Sequence, residues 1–229
     1  MRNPKWNRDE IILALDLYFT LEPGKIHSRN PKIIALSETL NKLPSFIDKP
    51  DAARFRNANG TSMKLSNFLA IDQTYSGQGM ASFSKLDKEV FDEFKNDIPS
   101  LSKIAGNIKS IINDPNLSKE LNTLSEENDV DKVSAKEGQI LYKLHKYRER
   151  NHSLVHKKKA YHLKKHSNLA CELCGFDFEK TYGEVGKGFI ECHHKSPLYT
   201  LAVDTITKLE DLILVCSNCH RMEHRKLNL

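Results

Sequence analysis

Two Cys-x-x-Cys pairs, Cys171 with Cys174 and Cys216 with Cys219, carry the plainest metal-binding signal in this chain. One turn of backbone aims both thiolates of such a pair at a single ion, and two pairs complete a closed tetrahedral zinc site. A closed site leaves no position for substrate, so this zinc is expected to brace structure. The gap between the pairs is much longer than in a zinc ribbon and must contain folded material. Within it lies Glu191-Cys192-His193-His194, and directly after the last cysteine come His220 and His224, one helical turn apart and so on one helix face. His193 and His194 alternate across a strand expected near residues 188–193, which lets one imidazole bind metal while the other works on water. Arg221, beside His220, is a candidate brace for a phosphate oxygen. Cys192 reads as a small buried residue, and Glu191 as either a support for a ligand or an exposed strand position. A redox role for the cysteines fits two pairs less well than zinc does. A purely structural finger leaves the four histidines unexplained.

This constellation resembles the HNH nuclease family, whose ββα-metal unit has a strand ending in His-His and a helix carrying the last ligands. The resemblance implies that His193, His220 and His224 hold one catalytic divalent ion, Mg²⁺, Mn²⁺ or Ni²⁺, and that His194 is the general base. It further implies that Asp211, five residues before Cys216, stands where the family has Asn and orients His194. For phosphodiester hydrolysis the ion stabilises developing charge, and a positioned base near its free pKa contributes about 10² to 10⁴ in rate.

The elements that must position these residues follow from composition and periodicity. The chain has 229 residues, 39% hydrophobic and 28% charged, enough for two domains with modest cores. No apolar run reaches membrane-spanning length and the first residues lack a signal-peptide core, so a cytoplasmic protein without a membrane partner is expected. The net charge of +5 is unevenly placed. Residues 114–137 carry seven acids against three lysines, whereas residues 138–168 carry nine Lys/Arg against Glu149 alone. The acidic stretch reads as an interdomain linker or a loosely packed helix, and the basic one, with Lys157, Lys158 and Lys159, as a lead-in that contacts a DNA backbone.

Upstream, Asn7 and Glu10 form a capping-box pattern before an almost wholly apolar helix through Phe19, ended by Pro23-Gly24. Pro31 opens a second helix with Ile33, Leu36 and Leu40 on its buried side, closed by Pro44. Asn59-Gly60 suggests a turn, with Thr61 or Ser62 capping the next helix and leaving N–H groups to seat a phosphate near Arg56. The glycine-rich loop at 72–80 lacks the strand context of a nucleotide site. Leu86, Val90, Phe91 and Phe94, then Leu101, Ile104, Ile108, Ile111 and Ile112, mark two more helices.

The Trp6-to-Glu10 opening, the run Leu15-Asp16-Leu17-Tyr18-Phe19, and Phe55-Arg56-Asn57-x-Asn59-Gly60 leading to Lys64-Leu65-x-Asn67-Phe68 resemble the helical sulfur-binding domains of McrA-like type IV restriction enzymes. That likeness spans residues 5 to about 112, and the family has Pro where Ala58 stands. It implies recognition of phosphorothioate-linked DNA. A sulfur reader needs an apolar dimple beside cationic donors. The candidates are His27, Arg29, Arg56, Asn57, Asn59 and Gly60 as donors, with Ala58 and Tyr75 as apolar wall.

The expectation is therefore a multidomain chain. An all-α DNA-reading domain (1–113) and an acidic linker (114–137) precede a basic lead-in with a small α+β, zinc-stabilised ββα-metal nuclease (138–229). The expected activity is modification-dependent cleavage of double-stranded DNA, with two copies needed for both strands, by dimerisation or independent nicking. The rivals are an HNH endonuclease reading methylated bases or unmodified sequence, and a non-catalytic zinc-dependent DNA-binding protein.

Overall fold

The computed structural model describes residues 3–43, 51–77, 82–114, 116–117, 119, 121, 139–149, 151–196 and 207–226. The chain divides into two compact units, Met1–Thr123 and Leu124–Leu229. The division falls inside the acidic stretch 114–137, most of which, like Pro44 and residues 78–80, lies outside the described residues. No helix among the described residues is long and apolar enough to cross a membrane.

The described elements of the first unit are helical: α1 (Arg8–Tyr18), a 3₁₀ turn (Pro23–Lys25), α2 (Pro31–Lys42), α3 (Ala58–Ile71), α4 (Lys85–Phe94) and α5 (Ile98–Asn113). Helix α1 is apolar nearly all round because it is the central element, packed against each of the other four. Ile11, Ile12, Leu13, Ala14 and Leu15 are fully buried. Tyr18 closes the far end edge-on to Phe19, Phe68 and Phe91. Its hydroxyl donates to Asp72 at 2.8 Å, and burial together with that carboxylate pushes the phenol pKa up.

Two capping boxes have a second use. Asn7 and Glu10 cap α1 reciprocally, and Ser84 and Asp87 cap α4 in the same way. Both acids at the third helical position are fully buried, and each is paired with a buried cation. Arg56 meets Glu10 at 2.6 and 2.9 Å, and Lys64 meets Asp87 at 2.8 and 2.9 Å. The Trp6 ring covers both cations, 4.6 Å from the Arg56 guanidinium carbon and 5.0 Å from the Lys64 nitrogen.

This changes the reading of the Phe55-to-Gly60 stretch. Arg56 is not a surface donor: its side chain is 4% exposed, and it also donates to the carbonyls of Pro4 and Lys5. Its backbone sits in the left-handed region at φ +44°, and its carbonyl accepts from the hydroxyls of Ser37 and Thr61. Helix α3 begins at Ala58 with Asn57 as N-cap, so neither Thr61 nor Ser62 caps it and Asn59-Gly60 lies in its first turn. The Asn57 side-chain oxygen takes the Gly60 N–H at 2.8 Å. Arg56 and the Gly60 N–H are thus engaged inside the domain rather than offered to DNA, and the half-buried Asn57 amide donates to the Ala53 carbonyl at 3.3 Å. His27, Arg29 and Asn59 are exposed, and Ala58 and Tyr75 are half-buried.

The second unit runs α6 (Gln139–Glu149), α7 (His152–Lys165), a short α8 (Phe178–Tyr182), a 3₁₀ turn (Gly183–Gly186), β1 (Glu191–His194), β2 (Leu212–Val215) and α9 (Ser217–Lys226). The strands form an antiparallel pair in which Glu191 faces Val215 and His194 faces Leu212. Cys171, Ile190, Cys192, Leu212, Leu214, Val215 and Cys216 make the core, with Leu154 and Val155 of α7 against it. Cys192 is buried among them, and desolvation raises its thiol to about 11.

Removing one member of a buried ion pair strands the other charge, which costs about 3–5 kcal/mol. Arg56→Ala is therefore expected to destabilise the first unit by about that amount, seen as a lower urea midpoint of its helical signal. A change of under about 0.5 kcal/mol, the size ordinary surface substitutions produce, would contradict this placement.

Candidate metal centres and nuclease site

Cys171 to Gly175 form a tight knuckle. The Cys171 carbonyl accepts from the Gly175 N–H, and Gly175 has φ +75°, a left-handed value that glycine adopts without penalty. The knuckle is tied to β2 by Glu172, whose N–H donates to the Leu214 carbonyl and whose carboxylate accepts the Leu214 N–H at 2.7 Å. Cys216 and Cys219 straddle the start of α9, where unpaired helix N–H groups favour thiolate. The Cys219 N–H reaches the Cys216 sulfur at 3.5 Å.

All four sulfurs lie within 4.8 Å of one another. Zinc–sulfur bonds of about 2.3 Å at tetrahedral angles put sulfurs about 3.8 Å apart. Cys174 and Cys216 stand 3.7 Å apart, well beyond disulfide length, and all the cysteines are free. The four residues therefore fit a zinc ion. Their protonation is uneven: burial acts to raise Cys171, but backbone N–H groups of Cys216, Cys174 and Leu173 outweigh it and bring the thiol down to about 7. Burial and then the neighbouring sulfurs push Cys219 up. Zinc binding must therefore expel protons from the cluster.

One turn along α9, His220 and His224 face β1. His193, on the strand face it shares with Glu191, meets them edge-on, with ring centroids 5.1 and 5.0 Å away and 4.6 Å between the two helical rings. Three imidazoles on one ion, with metal–nitrogen bonds of about 2.1 Å, would place centroids roughly 4.5–5.2 Å apart. The three rings fit a common divalent ion. A fourth residue joins them. Glu149, at the end of α6, lies with His193, His220 and His224 so that all four ligand atoms fall within 4.8 Å. Sequence reasoning missed it, although it is the lone acid in a stretch of nine Lys/Arg.

Glu191 proves to be a support. It accepts from the Ser217 hydroxyl and holds His220 Nδ1, which turns Nε2 toward the other rings. The His220 ring and the Ser217 hydroxyl hold Glu191 below the usual carboxylate range against the opposing effect of burial. Burial alone would lower His220, but hydrogen bonds and charge from Glu149 and Glu191 raise it to about 9.

His194 points away from this cluster, as strand alternation requires. It is buried, and its Nε2 lies 3.4 Å from the Thr207 hydroxyl. Asp211 does not orient it: that carboxylate is exposed and takes the Lys208 N–H at 2.8 Å, closing the turn before β2. Arg221 is exposed on α9, about 100° around the helix from His220.

Lys157, Lys158 and Lys159 of α7 do not form one exposed strip. Lys158 is buried 3.6 Å from Glu172, and Lys159 donates to the Gly188 carbonyl at 2.8 Å, its pKa lowered by burial. Both are folded onto their own unit, and of the three only Lys157 is exposed, on the same side of α7 as Lys164.

Residues 171–226 match the family model described as HNH endonuclease. This segment is an HNH nuclease domain. Comparison with curated proteins and with solved structures gives no match. The HNH match covers both cysteine pairs, β1, β2 and all of α9, and it implies a DNA substrate. Glu149 lies outside it.

Because the four-cysteine cluster draws together the knuckle and the start of α9, replacing Cys171 or Cys219 with Ser should abolish zinc uptake and unfold the HNH domain. The measurements are zinc per chain and the melting profile. Variants that keep both would show that the sulfurs do not share an ion.

Proposed function

We propose that the chain is a metal-dependent DNA endonuclease whose first unit directs its HNH domain to modified, phosphorothioate-linked duplex. The observation that carries the nuclease reading is the convergence of His193, His220 and His224 within the HNH match. A divalent ion held there supplies charge stabilisation to the scissile phosphate and its leaving oxygen. His193, His220 and His224 hold it, with Glu191 setting the orientation of His220. His194 accepts the proton of the attacking water, and Thr207 steadies its ring. Arg221 reaches for a phosphate oxygen from the exposed side of α9. Lys157 and Lys164 on α7 supply contacts to the DNA backbone, which makes binding weaken with salt.

Support for the reader comes from the likeness of residues 5–112 to sulfur-binding domains. With Arg56, Asn57 and the Gly60 N–H engaged internally, the reading surface rests on His27, Arg29 and Asn59, with Ala58 and Tyr75 as apolar wall. Each HNH domain presents one active site, so double-strand cleavage requires two copies.

The test is cleavage of matched plasmids, with and without phosphorothioates, in Mg²⁺, Mn²⁺ or Ni²⁺. Selective cutting of the sulfur-containing plasmid is expected. Equal cutting of both would assign the first unit to methylated or unmodified DNA, and absence of cutting in every metal would leave a zinc-dependent binding protein.

His194→Ala should lower the cleavage rate by about 10² to 10⁴ while zinc content and melting profile stay unchanged. An unchanged rate would remove His194 from catalysis.

A further inference from the structure

We infer that Glu149 is a fourth protein ligand of the divalent ion in the HNH domain, making the site three imidazoles and one carboxylate. The inference rests on the reading of His193, His220 and His224 as ligands, and it extends the site to a helix upstream of the HNH match.

The position of the carboxylate separates a ligand from a support. A group that only orients a metal-binding histidine sits behind the ring, on the nitrogen the ion does not use. Glu191 does this at His220 Nδ1. Glu149 sits in front of the two helical rings, at the Nε2 atoms they turn toward each other. Its Oε1 lies 2.7 Å from His193 Nδ1, and its Oε2 lies 3.3 Å from His220 Nε2 and 3.2 Å from His224 Nε2. The two helical rings present those same Nε2 atoms to each other at 3.0 Å, close to the roughly 3.0 Å spacing of adjacent ligands in an octahedral site with bonds of about 2.1 Å. The Glu149 side chain is 7% exposed, so the carboxylate is held in the cluster and shielded from water.

A carboxylate changes what the site selects. Three neutral imidazoles suit zinc, copper or nickel, whereas a hard oxygen donor moves preference toward manganese and magnesium. It also lowers the net charge of the loaded site from +2 to +1, which one phosphodiester group balances. Because α6 leads into the HNH match from upstream, the ion would join that helix to the ββα unit.

The experiment uses the full-length, zinc-loaded protein titrated with Mn²⁺, reading free Mn²⁺ by electron paramagnetic resonance and inner-sphere water by proton relaxation. Glu149→Gln keeps the side-chain shape and Glu149→Ala removes it; zinc content and circular dichroism report folding for both. Mn²⁺ affinity is expected to fall at least about 10- to 100-fold in each. Relaxation at saturating Mn²⁺ should rise in Glu149→Ala as water takes the lost position, an effect that a merely supporting residue would not produce. Affinity within about twofold of the unmodified protein in both folded variants, with His220→Ala having lost Mn²⁺, would overturn the assignment of Glu149 alone. Retention of Mn²⁺ by His220→Ala as well would overturn the three-histidine site on which it rests.

Discussion

The geometry of the nuclease domain depends on four sulfurs drawn to one point. Cys171 and Cys174 come from a loop pinned to β2, and Cys216 and Cys219 come from the start of α9. An ion shared among them would fix where that helix begins and how it is rotated about its axis. His220 and His224 follow on the same helix, so the rotation set by the cysteines decides whether two imidazoles face β1. The strand pair provides the other half of the constraint. Its register places Glu191 and His193 on one side, toward α9, and Cys192 and His194 on the other, toward the core.

Several buried or half-buried charges in both units are met by a group of opposite character that already has a task. In the first unit the acids of two helix caps also neutralise Arg56 and Lys64 beneath Trp6. An unpaired charge in that position would carry a large desolvation cost, so the pairs are fastened by chelating geometry and several hydrogen bonds. In the second unit Glu172 accepts a strand N–H while facing Lys158, and Glu191 accepts from Ser217 while holding His220.

The cluster of Glu149, His193, His220 and His224 is held from three directions, by β1, by α9 and by the end of α6. Hydrogen bonds behind a ligand fix its tautomer and orientation before an ion arrives, which is how a small domain with a two-stranded sheet can hold a site of defined shape. Strand alternation alone puts His194, buried on the opposite face, on the other side of β1 from His193.

Much of this was legible in the residues themselves because it is local. The Asn7 and Glu10 cap, the central apolar helix, the Cys-x-x-Cys spacing, the one-turn separation of His220 and His224, and the alternation of His193 and His194 all follow from the periods of helix and strand. What needed the tertiary structure was the destination of charge. Arg56 read as a donor to DNA and is spent on Glu10, 46 residues away; Lys158 and Lys159 read as a DNA-facing run and fold back onto their own domain. Glu149 read as an isolated acid and meets His193 across 44 residues, while Asp211 read as a partner of His194 and takes the Lys208 N–H in the turn before β2. Local spacing reports which neighbours share a face. Which distant group supplies a charged side chain with its partner is decided only when packing closes the chain, because the cost of burying an ion is settled by whatever group lies within hydrogen-bonding distance.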